Sequence, residues 1–225
     1  MTVYRTLLAG ILFAGLTTTL SAADTVRYET AARPSTNEMV IEGHATGHSW
    51  HVKGTIISGA FEVEPAWQKD ISLKSVTCLG EGKTPPVCEL GIPINSLKSQ
   101  VVAGASVMDD RMKKEMKAAE FPRIRYKLTE MTPTGDVPAS GTPVTFATKG
   151  QLSMAGKTNE VSFPIKMDRL EGDKLLFTGT YKMKMTQFGI TPPEFTIMGI
   201  GSKTADDVTL TWKWTVGVKP PAPAQ

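Results

Sequence analysis

Near its C-terminus the chain contains two long stretches in which apolar and polar side chains alternate, and no other feature constrains the fold as strongly. In residues 174–186, lysines and threonines separate most of the apolar side chains, which are Leu175, Phe177, Tyr181, Met183 and Met185. Residues 207–218 show the same period of two, with the apolar set Val208, Leu210, Trp212, Trp214 and Val216. Successive side chains of a β-strand point to opposite faces, so both stretches are predicted to be strands with one buried face.

Strand signals recur along most of the remaining chain, and turn-forming residues separate them. The predicted strands cover residues 39–46, 49–57, 59–63, 70–78, 87–94, 123–129, 144–154 and 160–167, with a short turn at 155–157. Antiparallel strands at this spacing form a sandwich or a barrel, and a closed barrel leaves no exposed strand edge. We therefore expect an all-β fold, an antiparallel β-barrel of about eight strands whose interior can hold one small ligand, as in lipocalins.

One short α-helix interrupts the run of predicted strands. Met108, Met112 and Met116 recur every four residues, and most residues between them are charged. This spacing places the three methionines on one face of a helix. Pro122 is predicted to end the helix, because proline disfavours helical geometry in the residue before it.

The N-terminus has the features of an export signal. Arg5 precedes an uncharged, mostly apolar stretch that ends in small residues, so residues 1–23 are predicted to be a cleaved signal peptide. The apolar stretch is short for a bilayer, and we expect no stable membrane span after cleavage. The predicted organisation of the mature chain is a flexible segment at 24–37, one barrel domain at 38–218 and a disordered tail at 219–225.

Both cysteines, Cys78 and Cys88, lie in the exported part of the chain. An exported pair is most simply a disulfide, and closing so short a loop contributes about 2–3 kcal/mol in the chain-entropy model. A redox-active pair is the alternative, but redox motifs usually hold two residues between the cysteines, and here there are nine.

Few residues suggest a reaction centre, a metal or a nucleic acid. The three histidines are His44, His48 and His51, but four residues along a strand span roughly 13 Å, too far for His44 and His48 to share one zinc ion. The adjacent Asp109 and Asp110 suit the start of a helix, where the helix dipole favours acidic groups. The formal net charge of +3 is too small to indicate a nucleic-acid partner. We predict a protein that is not an enzyme and needs neither metal nor cofactor.

The chain resembles the YceI-like family of exported polyisoprenoid-binding proteins over most of its length. The matching segments, in family order, are His48–Val52, Gly59–Phe61, Ile92–Leu97, Asp109–Met112, Phe121–Tyr126, Lys149–Thr158, Gln187–Ile190 and Asp206–Val208. Two features depart from the usual pattern: the helix start reads Asp-Asp-Arg, and the segment between the two cysteines is not typical of the family.

The resemblance implies a lipocalin-like barrel in the periplasm with an elongated apolar cavity. Such a cavity takes the tail of an amphiphile, such as an isoprenoid quinone or a polyprenyl phosphate, for transport, storage or sequestration. The candidate tail contacts are Trp50, Phe61, Met108, Met112, Met116, Phe121, Phe146, Leu152, Phe163, Phe177, Tyr181, Phe188, Trp212 and Trp214.

The residue pattern leaves alternatives open, and one of them is an enzyme that acts on a lipid, with His44, His48 and His51 as its candidate polar cluster. Methionine is flexible and suits a surface that adapts to a ligand, but the chain's 11 methionines could equally fill a solid core. In that case the protein is a non-binding β-barrel, either a structural or stress-related protein or an interaction module. The sequence also leaves a homodimer open, and cavity volume is the observation that separates a carrier from a filled barrel.

Overall fold

The strands of this protein pair antiparallel, and the sheet that they form closes on itself in a complete circuit. The computed structural model describes residues 25–31, 37–100, 104–197 and 200–219. The strands are β1 (Val26–Thr30), β2 (Glu38–Ala45), β3 (His48–Gly54), β4 (Ser58–Val63), β5 (Val87–Pro93), β6 (Lys98–Ser99), β7 (Arg123–Pro133), β8 (Val144–Met154), β9 (Lys157–Leu170), β10 (Lys174–Lys184), β11 (Glu194–Ile197) and β12 (Ile200–Val218). The α-helices are α1 (Ala66–Lys69) and α2 (Ala105–Glu115), and short turns of 3-10 helix occupy Ile94–Ser96 and Met185–Phe188.

The circuit confirms the predicted antiparallel barrel. Neighbouring strands follow the order β1, β4, β5, β7, β8, β9, β10 and β12, and pairing of β12 with β1 closes a barrel of 8 strands. β2 occupies the same position of the barrel as β1, since β2 also pairs with β12. β3 pairs with β2 and in the same way continues the position of β4. In this order β7 and β12 stand on opposite sides of the barrel.

The two alternating stretches form β10 and the later part of β12, which pair with each other over their length. Phe177 pairs with Trp214 and Tyr181 with Leu210, so the apolar sets of both strands share the inner face of the barrel. The predicted turn after β8 is confirmed as well: Met154 pairs with Lys157 across a two-residue turn in which both residues have positive φ.

The strand predicted at residues 70–78 is wrong. This segment consists of turns after α1, and the Asp70 carboxylate accepts hydrogen bonds from the backbone amides of Ser72 at 2.9 Å and Ser75 at 2.8 Å. The Ser72 hydroxyl and these other donors also lower the pKa of Asp70. The buried side chains are Leu73 and Val76, three residues apart rather than two. Capping by Asp70 therefore overrides the local alternation.

Residues 26–30, expected to belong to a flexible segment, instead form barrel strand β1. Tyr28 is buried and pairs with Phe61 on one side and Val218 on the other. This strand supplies the pairing that closes the barrel. The predicted signal peptide, residues 32–36 of the N-terminal segment and residues 220–225 of the predicted tail lie outside the described residues.

Helix α2 forms where the methionine spacing predicts it but ends before Pro122. Lys117 has a left-handed φ of 50°, and the Ala118 amide donates to the Lys113 carbonyl at 2.9 Å. This is the hydrogen-bond pattern of a helix C-cap, so a cap rather than the proline ends the helix. Within the described ranges, no helix combines the length and apolar character needed to cross a membrane.

The predicted disulfide is not present: Cys78 and Cys88 are free thiols. Cys88 lies on β5 and faces the barrel interior, whereas the backbone amide of Cys78 donates to Glu64 at 2.9 Å in the loop before β5. Burial raises the pKa of Cys88 to about 12 and, together with the nearby Glu64, that of Cys78 to about 11. Both groups are therefore protonated, unreactive thiols at neutral pH.

Candidate functional site

One end of the barrel is closed by an aromatic plug. Trp67, on α1, is fully buried; its ring stacks on Phe146 at 5.9 Å and meets the edge of Phe61 at 5.2 Å between centroids. Arg169 covers the outside of the plug, with its guanidinium 5.7 Å from the Trp67 ring centre and a hydrogen bond of 2.9 Å to the Trp67 carbonyl. These contacts pack side chains from two strands and α1 together at this end of the barrel.

At the opposite end lies a cavity of about 460 Å³, which we call the mouth chamber. Helix α2 forms one wall, and the barrel strands form the others. Its volume falls within the range of about 300–1,000 Å³ that is typical of small-molecule sites. Six methionines line it, and they are Met108, Met112, Met116, Met154, Met183 and Met185. This wall of flexible thioethers can adapt to ligands of different shape.

A second cavity, the deep chamber, lies between the mouth chamber and the plug and measures about 90 Å³. Its wall is mainly aromatic and includes Phe61, Tyr126, Phe163, Phe177, Tyr181, Trp212 and Trp214. Ile124 and Leu210 line both chambers. The two cavities therefore follow one another along the same lumen, and these two side chains stand between them.

Two glycines keep tryptophan rings against the barrel wall. A Cβ atom at Gly43 would lie 2.2 Å from the Trp50 ring, and one at Gly179 would lie 2.2 Å from the Trp212 ring. Each glycine is the cross-strand neighbour of the tryptophan it accommodates. The rings lie flat over bare backbone, which leaves the centre of the lumen open.

Polarity increases from the deep chamber towards the mouth. In the deep chamber the Thr148 hydroxyl donates to the Phe163 carbonyl at 2.7 Å, and burial raises the pKa values of Tyr126 and Tyr181, which stay neutral. The polar residues of the mouth chamber are His48, Arg111, Glu115, Ser202 and Thr204. The described lining of the deep chamber has no charged residue, whereas that of the mouth chamber includes Arg111 and Glu115, and this difference suits an amphiphile with its tail inside.

A single buried carboxylate fastens α2 across the mouth chamber. Asp109 is 7% exposed, and its Oδ1 accepts a hydrogen bond of 2.7 Å from the backbone amide of Ser99 on β6. Lys98 places its ammonium 3.4 Å from Oδ2. The helix dipole alone would favour any acidic residue here, so the structure adds a specific function for Asp109 that its neighbour Asp110 does not share.

We expect Asp109→Ala to loosen α2 and lower the free energy of unfolding by about 1.5–3 kcal/mol, the contribution of a charge-assisted hydrogen bond. Hydrogen exchange of the α2 amides should become faster, and chemical denaturation gives the stability. The matched control is Asp110→Ala, because the Asp110 side chain is 77% exposed. Equal protection of α2 in the two variants would contradict the proposed anchor.

The predicted tail contacts fall into three groups. Trp50, Met108, Met112 and Met116 line the mouth chamber. Seven line the deep chamber, and they are Phe61, Leu152, Phe163, Phe177, Tyr181, Trp212 and Trp214. Three line neither chamber: Phe146 belongs to the plug, Phe188 is buried outside both chambers, and Phe121 is 40% exposed. The position of these three gives no support to the prediction that they contact a tail.

Sequence reasoning missed several residues of the mouth chamber. Met154, Met183 and Met185 line it, although only the three helical methionines were predicted to be contacts. A signal for two of them was present, because Met183 and Met185 share the inward face with Phe177 and Tyr181. Tyr126, which lines the deep chamber, was also missed, although the alternation of apolar and polar residues along β7 was a signal for it.

The histidines do not form a metal site. His48 borders the mouth chamber, while His44 contacts the Ser49 hydroxyl at 3.0 Å and His51 lies 3.9 Å from Glu42. Across the part of the chain that the structure describes, no group of three or more His, Cys, Asp or Glu side chains is arranged to hold a metal ion.

Comparison with known protein families matches this barrel to one of them. A family model described as "YceI-like domain" covers residues 29–216, which include all eight positions of the circuit. The protein belongs to the YceI-like family. The match begins within β1 and ends two residues before the end of β12, so the residues that line both chambers, the plug and α2 lie within the family domain.

Solved structures share the YceI-like fold at low sequence identity. A polyisoprenoid-binding domain from Saccharophagus degradans has 11% identity, covers 87% of this chain and 100% of that one, and gives a TM-score of 0.59. BcnA from Burkholderia cenocepacia has 15% identity, coverages of 80% and 95%, and a TM-score of 0.57. A Campylobacter jejuni YceI protein has 16% identity, coverages of 75% and 85%, and a TM-score of 0.51. A comparison with curated protein sequences finds no match.

Proposed function

We propose that this YceI-like protein binds an amphiphilic isoprenoid lipid, with the tail in the barrel lumen and the head group at the mouth beside α2. The observation that carries the proposal is the mouth chamber, a mainly apolar cavity of about 460 Å³ whose lining includes the charged residues Arg111 and Glu115. Among the described residues that line the deep chamber none is charged, so a branched isoprenoid tail would meet only uncharged side chains there.

The physical driving force is burial of the tail. Removing about ten tail carbons from water contributes roughly 8 kcal/mol before the costs of association. The methionines of the chamber can rearrange around methyl branches at little cost, because their side chains are unbranched and flexible. At the mouth, Arg111, Glu115 and His48 offer polar contacts to a head group of the isoprenoid quinone or polyprenyl phosphate type.

Two lines of support come from outside the cavity. The family model matches nearly the whole barrel, and one structural relative is described as a polyisoprenoid-binding domain. The N-terminal residues have the pattern of an export signal, so we propose that the mature protein acts in the periplasm, where it transports, stores or sequesters the lipid. We propose binding and not catalysis.

The rival function is a barrel that binds nothing and serves as a structural or interaction module. A filled lumen would favour that rival. The mouth chamber favours the carrier, since a filled barrel would pack its interior densely and leave no apolar cavity of this size.

Native mass spectrometry of the full-length protein, purified without organic solvent, tests the proposal. We expect a bound species whose mass excess matches an isoprenoid lipid found in an organic extract of the same sample. Met183→Trp, which places a bulkier side chain in the mouth chamber, should reduce this species, whereas Phe121→Trp, outside both chambers, should retain it. Protein that carries no lipid and also fails to bind added geranylgeraniol would overturn the proposal.

A further inference from the structure

The lumen holds two cavities, and the boundary between them has a definite position. Ile124 extends inward from β7 and Leu210 from β12, strands on opposite sides of the barrel. Their side chains are 3% and 4% exposed, and they are the residues that line both chambers. They therefore mark the boundary between the mouth chamber and the deep chamber, and we call this pair of aliphatic side chains the constriction.

We propose that Ile124 and Leu210 set the length of the isoprenoid tail that the protein selects, by stopping the tail at the boundary between the chambers. This inference rests on the proposed function and adds a specificity determinant to it. The deep chamber is then a reserve subsite of matching chemistry, apolar and aromatic, that a tail reaches only when the constriction opens.

The volumes give the expected length. A cavity of about 150 Å³ admits benzene, which corresponds to about 25 Å³ per carbon atom. By that scale the mouth chamber of about 460 Å³ holds roughly 18 carbon atoms, between three and four isoprene units. The deep chamber of about 90 Å³ holds roughly four more, close to one further unit. Carbons beyond the constriction limit stay at the mouth in contact with water and add little affinity.

The test uses a series of all-trans polyprenyl alcohols from farnesol to solanesol, which share one head group and differ in tail length. Binding is followed by tryptophan fluorescence and checked by calorimetry. For the wild-type protein we expect the dissociation constant to fall as the tail grows to geranylgeraniol and then to level off. In Ile124→Ala, one isoprene unit beyond geranylgeraniol should lower the dissociation constant by about a further tenfold, because the carbons of this unit enter the deep chamber.

Two other isoleucines provide matched controls. Ile41 lines the mouth chamber alone and Ile165 the deep chamber alone. Ile41→Ala and Ile165→Ala remove the same atoms without joining the cavities. In both variants the dissociation constant should level off at the same tail length as in the wild type. If Ile124→Ala proves too unstable to assay, Ile124→Val and Leu210→Val can replace it, because each shortens one of the two side chains at the constriction. Both should raise the tail length at which the affinity levels off.

The outcomes separate this inference from the proposed function. Wild-type affinity that rises steadily through the whole series would overturn the constriction while leaving isoprenoid binding in place. If the affinity levels off at the same tail length in Ile124→Ala, Leu210→Val and the wild type, the proposed role of the constriction is also overturned. Failure of the wild-type protein to bind any alcohol of the series would overturn both.

Discussion

Trp67→Ala should lower the free energy of unfolding by about 3–5 kcal/mol, the range for removing a large buried aromatic side chain. Trp67 is fully buried, and its ring contacts Phe61 and Phe146 from two different strands. For a domain of this size the loss corresponds to a decrease in Tm of about 10 °C. Thermal unfolding followed by circular dichroism measures it.

The control for Trp67 is a tryptophan that borders open space. Trp50 lines the mouth chamber, is only partly buried, and lies over the backbone of Gly43. Trp50→Ala should therefore cost clearly less stability than Trp67→Ala. Equal decreases in Tm for the two variants would show that the plug is no more tightly packed than the chamber wall.

Gly43→Ala should weaken binding of geranylgeraniol by at least about tenfold. The new Cβ atom would lie 2.2 Å from Cζ2 and 2.6 Å from Cε2 of Trp50, so the indole ring must leave the wall. The space open to it is the mouth chamber, which Trp50 already lines. A displaced ring takes volume that the tail needs, and overpacking also costs about 1–3 kcal/mol of stability.

Gly201→Ala is the matched control, because a Cβ atom at Gly201 meets no other atom within 4 Å. It should bind geranylgeraniol as the wild type does. Titration of both variants by tryptophan fluorescence measures the difference. If Gly43→Ala and Gly201→Ala bind equally well, the flat packing of Trp50 does not keep the chamber open.

The faces of the strands could be predicted from the sequence because side-chain direction is a local property. In β10 and β12, each inward residue follows from the period of two, whatever the neighbouring strand contributes. The turn before Lys157 was predictable for the same reason, since Ala155 and Gly156 define it within two residues. Residues 70–78 show the limit of this logic, because contacts of Asp70 to Ser72 and Ser75 fold the segment into turns.

Depth along the barrel was not predictable from any one strand. On β8 the inward residues pass from Phe146 in the plug, through Leu152 in the deep chamber, to Met154 in the mouth chamber. On β10 the same passage runs from Phe177 to Met183. Each strand thus presents its residues at successive depths, and an alternating pattern is identical at every depth.

The sequence by itself determined which side chains of this YceI-like protein point inward, that the sheet is antiparallel and where the methionine helix forms, because local backbone geometry decides these. Only the tertiary structure decided that Trp67 closes one end and that Ile124 and Leu210 lie at the boundary between the two chambers. Those positions depend on the stagger between strands far apart in sequence and on closure of the barrel by β1 and β12. Local alternation therefore predicts an apolar interior, and the stagger of the closed barrel divides that interior into plug, deep chamber and mouth chamber.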